Sequence, residues 1–262
     1  MNNSLRTNSV VAAILMVTVL VVNALAVLLP INQMSTGAIS DLYPNYFVPA
    51  GFTFSIWSII YLLLISFCGY SIWYAFSKTE NRSLESMLSK LLAYFIITCI
   101  INCSWIFMWH YLQIQLSLLV MLAFLVTLII IYRLLLDNRS NFSSTAYFFL
   151  QVPFSVYLGW ISVATIANTT ALLVHSGWEG GFLSPVSWAA IMMVVAVVLG
   201  LLFLLKWSDS AYALVICWAL YGIYFKQNDE PLLARTATIG IGILLIVVFY
   251  QSWRRIKKSP GL

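Results

Sequence analysis

Residues 112–132 read LQIQLSLLVMLAFLVTLIIIY. The run carries no Asp, Glu, Lys or Arg. A helix rises 1.5 Å per residue, so about 20 apolar residues cross the ~30 Å hydrocarbon core of a bilayer. Measured with the same ruler, seven more runs appear: Val10–Leu29, Phe52–Tyr74, Met87–Trp109, Tyr147–Asn168, Val186–Trp207, Ala211–Phe225 and Leu232–Trp253. The run Ala211–Phe225 is the shortest. The composition agrees, since 62% of the 262 residues are hydrophobic and only 8% are charged, against roughly 25% in an ordinary soluble domain. A soluble domain this size needs more charge on its surface, and a disordered chain would be poor in apolar residues. The predicted fold is all-α, a polytopic membrane helix bundle. No polar linker is long enough to divide it.

The charge pattern sets an orientation. The net charge is +5, but the 13 basic residues sit between apolar runs and form no stripe, so nucleic acid is not an expected partner. With eight crossings and both termini in the cytoplasm, every basic residue except Lys226 and Arg235 falls inside, as the positive-inside rule requires. The first loop, 30–51, has no basic residue and is therefore external. It is rich in Tyr43, Pro44, Tyr46, Phe47 and Pro49. Arg6 followed by Ala24-Leu25-Ala26 could instead mark a signal peptide, but the apolar run continues past that site.

No ionisable Asp, Glu, Lys or Arg lies in the middle of a run. Ion-coupled carriers ordinarily keep such a group at membrane depth, and acid–base catalysis would need one. Cys68, Cys99, Cys103 and Cys217 all lie inside apolar runs. Cys99 and Cys103 share a face with no histidine, so neither a metal nor a cofactor is expected. What the runs do contain is amides and aromatic rings. Asn102, Trp105 and Trp109 are spaced i, i+3, i+7. Trp160, Ala164 and Asn168 are spaced i, i+4, i+8, and Trp57 and Tyr61 i, i+4. Asn23 lies late in the first run, and Gln113 and Gln115 open the fourth. The orientation puts all of them in the outer half of the membrane, beneath the aromatic loop. Interfacial belts of Trp and Tyr and interhelical amide bonds account for part of this. The alternative is an indole-lined cavity with a few amides to orient a flat hydrophobic ligand.

Three stretches are similar to the TspO/MBR family, the tryptophan-rich sensory proteins related to the translocator protein. Residues 49–61, PAGFTFSIWSIIY, resemble the family's proline–tryptophan segment entering its second helix. Asn102-Cys103-Ser104-Trp105 resembles the third-helix motif, and residues 160–168, WISVATIAN, the fifth-helix motif. Departures are Ala50 in the proline motif, no tryptophan before Phe54, and Pro153 seven residues ahead of Trp160, where the family usually has four. The family fold has five helices, so the resemblance implies a core over 1–172 and three added helices over 173–262.

The resemblance also implies a ligand. Family members bind tetrapyrroles, and some bind sterols or aromatic drugs. Trp57 and Trp160 correspond to the pocket tryptophans, Ala164 to a small residue near the ligand, and Asn102 and Trp105 to the third-helix motif. With Tyr61 and Asn168 these form the candidate ligand site. Expected partners are a porphyrin-like or sterol-like small molecule, membrane lipid and a second copy of the chain as a homodimer. The expected setting is a bacterial cytoplasmic membrane. The leading function is a binding or sensory protein, with a light-dependent porphyrin-degrading enzyme, a transporter of small apolar molecules and an assembly partner as alternatives. Thr236/Gly240 and Thr238/Gly242 form two small-xxx-small pairs in the last run, which predicts close helix packing there.

Overall fold

The computed structural model describes residues 3–28, 31–77 and 81–258. Leu29, Pro30 and Lys78, expected at a span end and in two loops, lie outside them, as do the side chains of Arg255 and Lys258. No strand occurs among the described residues. The long helices are α1 (Asn3–Leu28), α3 (Ile56–Phe76), α4 (Arg82–His110), α5 (Ile114–Asn138), α7 (Val152–His175), α8 (Pro185–Trp207), α9 (Ser210–Lys226) and α10 (Pro231–Lys258). Short helices α2 (Thr36–Asp41) and α6 (Ser144–Ala146) sit in connections. Among the described residues seven helical segments are long and apolar enough to cross a membrane, and α9 is a shorter apolar helix. The chain is an integral membrane helix bundle.

The helix starts follow capping chemistry. Asn81 accepts from the Leu84 amide, Ser184 from Ser187 ahead of Pro185, and Asp209 from Tyr212. Each satisfies a first-turn amide that has no carbonyl partner. Before α7 the chain makes a π-helical turn, Tyr147–Gln151, and Pro153 stands just inside the helix. A missing amide at the first turn is tolerated. The chain therefore enters α7 through a π-turn, with Pro153 at the mouth of the helix. The helix then continues to His175, beyond the expected end at Asn168.

Helices α1, α3, α7, α5 and α4 close a ring, each packed on the next, with α4 returning to α1. The trio α8, α9 and α10 packs on this ring chiefly through α9 against α7. Consequently the segment Ser144–His175 that contains α7 is the most enclosed of the seven long ones, with 67% of its apolar window buried. Gly159 makes the contact with α9 close, because a Cβ there would lie 3.1 Å from Val215 Cβ and 3.2 Å from the Tyr212 carbonyl.

The 17 residues of α9 span roughly 26 Å, and they connect the two ends of the bundle. At its start, Asp209 accepts from Tyr132 of α5 and Ser155 of α7. At its end, Gly222 and Lys226 meet the first loop: the Ala50 amide donates to the Gly222 carbonyl at 3.0 Å, and Lys226 pairs with Asp41 at 2.6 Å. The short run therefore reaches from one end of the bundle to the other.

Candidate functional site

The end of the ring beneath the first loop is filled with aromatic side chains from α3, α4 and α7. Trp57 is the hub. It stacks on Tyr61 at 5.4 Å between centroids, lies 6.5 Å from Trp105, and meets Tyr157 and Trp160 edge-on at 6.0 and 6.3 Å. Trp105 stacks on Trp109 at 5.7 Å, and Phe54 meets Trp160 edge-on at 5.9 Å. Such offset and edge-on pairs suit the ring quadrupoles.

Two amide bridges tie the cluster to the helices. Asn23 of α1 donates to Asn102 Oδ1 at 2.8 Å, and Asn102 Nδ2 donates to the Tyr157 hydroxyl at 3.0 Å. Trp105 Nε1 donates to Asn168 Oδ1 at 3.0 Å, and Asn168 Nδ2 donates to Ser117 Oγ at 3.0 Å. The first bridge links α1, α4 and α7, and the second α4, α7 and α5. Buried amides that bond across helices fix their rotation in lipid, where no water can replace the bond.

These side chains bound a narrow cleft of about 40 Å³, walled by Trp57, Trp105, Trp109, Trp160, Ala164 and Asn168 and roofed by Thr36, Ser40, Pro49 and Phe54 of the first loop. That space is close to the volume of a single water. Of the seven residues expected at the site, Trp57, Trp105, Trp160, Ala164 and Asn168 line the cleft. Tyr61 and Asn102 do not: Tyr61 is stacked against Trp57, and Asn102 is bonded to Asn23 and Tyr157. Gln113 and Gln115 are exposed. Trp160 is buried, yet its Nε1 has no hydrogen-bond partner. A buried indole N–H ordinarily finds one.

The roof is anchored on two sides. Toward α4, Trp109 Nε1 donates to the Thr36 carbonyl at 3.2 Å. His110 is fully buried, with Nδ1 3.0 Å from the Ile31 carbonyl and Nε2 3.1 Å from the Thr36 hydroxyl. A carbonyl can only accept, so Nδ1 carries a proton and donates to Ile31. Toward α9, Trp218 Nε1 donates to the Thr53 carbonyl at 2.9 Å, and Phe52 packs edge-on against Trp218, Tyr221 and Phe225. These anchors are not legible in the order of residues. His110 stands alone beside an apolar run, and Trp218 lies in a helix outside the resembling part.

A second, roomier space of about 690 Å³ lies between the outer ends of α7 and α8, beneath residues 44–47. None of the candidate site residues lines it. Among the described residues no group of three or more His, Cys, Asp or Glu could hold a metal, and the four cysteines are free.

A family model described as TSPO-like protein matches residues 9–250, so the match runs through α8, α9 and most of α10 as well as the ring. No curated protein and no solved structure matches the chain.

Proposed function

The chain belongs to the TSPO-like family, and on that premise we propose that it is a membrane binding or sensory protein for a flat hydrophobic ligand such as a tetrapyrrole. In this reading residues 1–172 hold the ligand and residues 173–262 brace the roof over it. The membrane is a bacterial cytoplasmic one, with both termini in the cytoplasm. The observation that carries the proposal is the cleft between Trp57, Trp105 and Trp160, with the unpaired N–H of Trp160 in a wall residue. Three indoles offer stacking surface, Asn168 offers a polar edge, and the unpaired N–H can be satisfied by a ligand acceptor. Binding in preference to turnover fits the chemistry, because no Asp, Glu, Lys, Arg, His or Cys side chain lines the cleft.

A cleft of about 40 Å³ is closed to a macrocycle. Occupancy therefore requires Phe54 and Trp57 to swing and the roof to lift from the ring, a change of the induced-fit kind. Drug-sized ligands need ~300–1,000 Å³. The roof is a connecting segment held to its neighbours by individual hydrogen bonds.

The test is a titration of purified protein with protoporphyrin IX, followed by tryptophan fluorescence in the dark. Stacking contributes ~0.5–1.5 kcal/mol beyond buried area, and each 1.4 kcal/mol is tenfold. Trp160→Ala and Trp57→Ala should each weaken binding by about tenfold or more once the lost area is included, and Trp160→Phe by less. Trp253, 53% exposed on α10, is the control, and its replacement should leave affinity within about twofold. Equal losses at Trp160 and Trp253 would mean general destabilisation. No loss at either Trp57 or Trp160 would remove the ligand from this cleft. Irreversible loss of porphyrin absorbance under illumination, in place of reversible quenching, would turn the reading toward degradation.

A further inference from the structure

The space between α7 and α8 exists because α8 packs on α9 and α10 and only brushes α7, so the two helices part toward their outer ends. The connection Ser176–Ser184 and residues 44–47 close over the gap. Its volume of about 690 Å³ lies in the usual range for small-molecule sites. The deeper wall is apolar, with Ile166, Leu173, Val174, Ala189 and Met192.

The hydroxyls that α7 turns to the space are acceptors, while Tyr46 adds a further hydroxyl from the first loop. Thr165, Thr169 and Thr170 face the space, and each hydroxyl hydrogen is already given to the carbonyl four residues back, at 2.7, 2.8 and 2.9 Å. Those oxygens are left with lone pairs only. Trp188 Nε1 is likewise spent on the Gly180 carbonyl at 2.7 Å. No Lys or Arg lines the space, and its one charged residue is Glu179 at the rim. Trp178 and Trp188 stand beside Glu179 with ring centroids 5.6 Å apart, tilted by 55°. Indole faces are electron-rich and attract cations. The rim is also held in place. Gly180 has φ +98°, and a Cβ there would come within 2.5 Å of the Leu183 carbonyl, so the turn that presents its carbonyl to Trp188 suits glycine alone.

We propose that this cavity is a binding site for a lipophilic amine, its hydrophobic body between α7 and α8 and its ammonium group at Glu179, Trp178 and Trp188. Acceptor oxygens, indole faces and one carboxylate together favour a positively charged donor over a neutral or anionic ligand of the same shape. The site is separate from the tryptophan cleft. The two spaces use adjacent faces of α7, through Thr165 and Thr169 on one side and Ala164 and Asn168 on the other.

The test uses the full chain in nanodiscs, with empty nanodiscs to subtract partitioning into lipid. Radiolabelled imipramine, a tricyclic tertiary amine protonated at neutral pH, is titrated, and its neutral parent iminodibenzyl serves as competitor. The expected result is saturable binding, with the amine preferred by about tenfold. Glu179→Gln should weaken imipramine by about fivefold or more and leave iminodibenzyl unchanged, and because Glu179 is exposed the variant should fold as the parent does. Trp188→Ala should weaken both ligands, and Trp188→Phe should recover part of the loss at matched melting temperature. Trp160→Ala should leave imipramine within about twofold. Absence of saturable binding to the parent protein, equal competition by iminodibenzyl, or an unchanged affinity in Glu179→Gln would each overturn the proposal. So would a Trp160→Ala loss as large as that of Trp188→Ala, which would place the amine in the tryptophan cleft.

Discussion

Asp209 is 1% exposed and accepts three hydrogen bonds, from Tyr132 at 2.7 Å, Ser155 at 2.6 Å and the Tyr212 amide at 3.1 Å. It joins α5, α7 and the start of α9 in one contact set. Replacement by Ala removes a helix cap, about 1 kcal/mol, and orphans two hydroxyls at about 1–3 kcal/mol for each one left buried. Asp209→Ala should therefore lower stability in detergent by at least about 2 kcal/mol, and Asp209→Asn by less, since an amide oxygen keeps one acceptor. Thermal unfolding of the two variants side by side checks this, and equal losses would mean that the charge matters more than the acceptor count. Gly222 offers a second case. A Cβ there would run into the Thr53 side chain, with Thr53 Cβ only 2.9 Å away. Gly222→Ala should cost about 1–3 kcal/mol by overpacking, and Thr53→Ala in the same chain should return part of it. Additive effects in the double variant would separate the loop from α9. Neither residue announces itself in the sequence. Asp209 reads as a polar residue between two apolar runs, and Gly222 as an ordinary membrane glycine, because their partners in other elements lie 54 or more residues away.

At the scale of elements, α10 splits what the sequence pattern treated alike. Thr236/Gly240 and Thr238/Gly242 are both small-xxx-small pairs, and spacing alone cannot say which faces a neighbour. A Cβ on Gly240 would lie 2.6 Å from Val197 Cγ2 of α8 and 3.3 Å from Leu220 Cδ1 of α9, whereas one on Gly242 would meet nothing within 4 Å. Gly200 makes the reciprocal approach from α8, where a Cβ would lie 2.9 Å from Leu244 Cδ2. Small residues in lipid act by letting backbones come close, so only the pair that meets a helix can act in that way. Gly240→Leu should lower the melting temperature by several degrees, while Gly242→Leu should match the parent within about a degree, a difference that follows from overpacking of about 1–3 kcal/mol at one site only. Size-exclusion chromatography of the Gly242 variant gives an independent check, because a changed oligomer would mean that the open face of α10 meets a second copy. The helices themselves were legible, since a run of about 20 apolar residues can do little else in a bilayer. Their ends were less so. α4 starts at Arg82, ahead of the expected Met87, and α7 runs to His175, because a helix continues past the hydrocarbon wherever caps and turns allow it.

For the whole molecule, the aromatic cluster was legible because Trp57, Trp105 and Trp160 recur at helical spacings on three runs, so each had to point along one face. What could not be read was how little room they leave, or that the roomier space lies beyond α7, where α8 diverges. Volume depends on how far apart two helices stand, and periodicity is silent on that. The arrangement of the eight helices also frames the topology. Arg6 of α1 donates to the Ala75 carbonyl at the end of α3, Arg139 at the end of α5 to the Trp207 carbonyl at the end of α8, and Gln251 of α10 to the Leu204 carbonyl of α8. Those contacts gather both chain ends at one end of the bundle. Lys226 and Asp41 meet at the other, beside the roof of the tryptophan cleft. The end that holds both chain ends also holds most of the basic side chains, including Arg133, Arg139 and Lys206 around one cleft. An excess of Lys and Arg marks the cytoplasmic side. Reporter fusions after Gly37 and after Gly180 should therefore read external, and a fusion after Leu262 cytoplasmic. The fusion after Leu262 is the sharpest arm, because it depends on α9 crossing in 17 residues. An external reading there would leave α9 folded back within the membrane and would put the basic C-terminal turn of α10 on the side that the charge rule disfavours. Moving Lys226 and Arg235 to Gln should leave the reading unchanged. Replacing Arg254, Arg255, Lys257 and Lys258 together should raise the fraction of inverted molecules, since an excess of basic residues sets the cytoplasmic side.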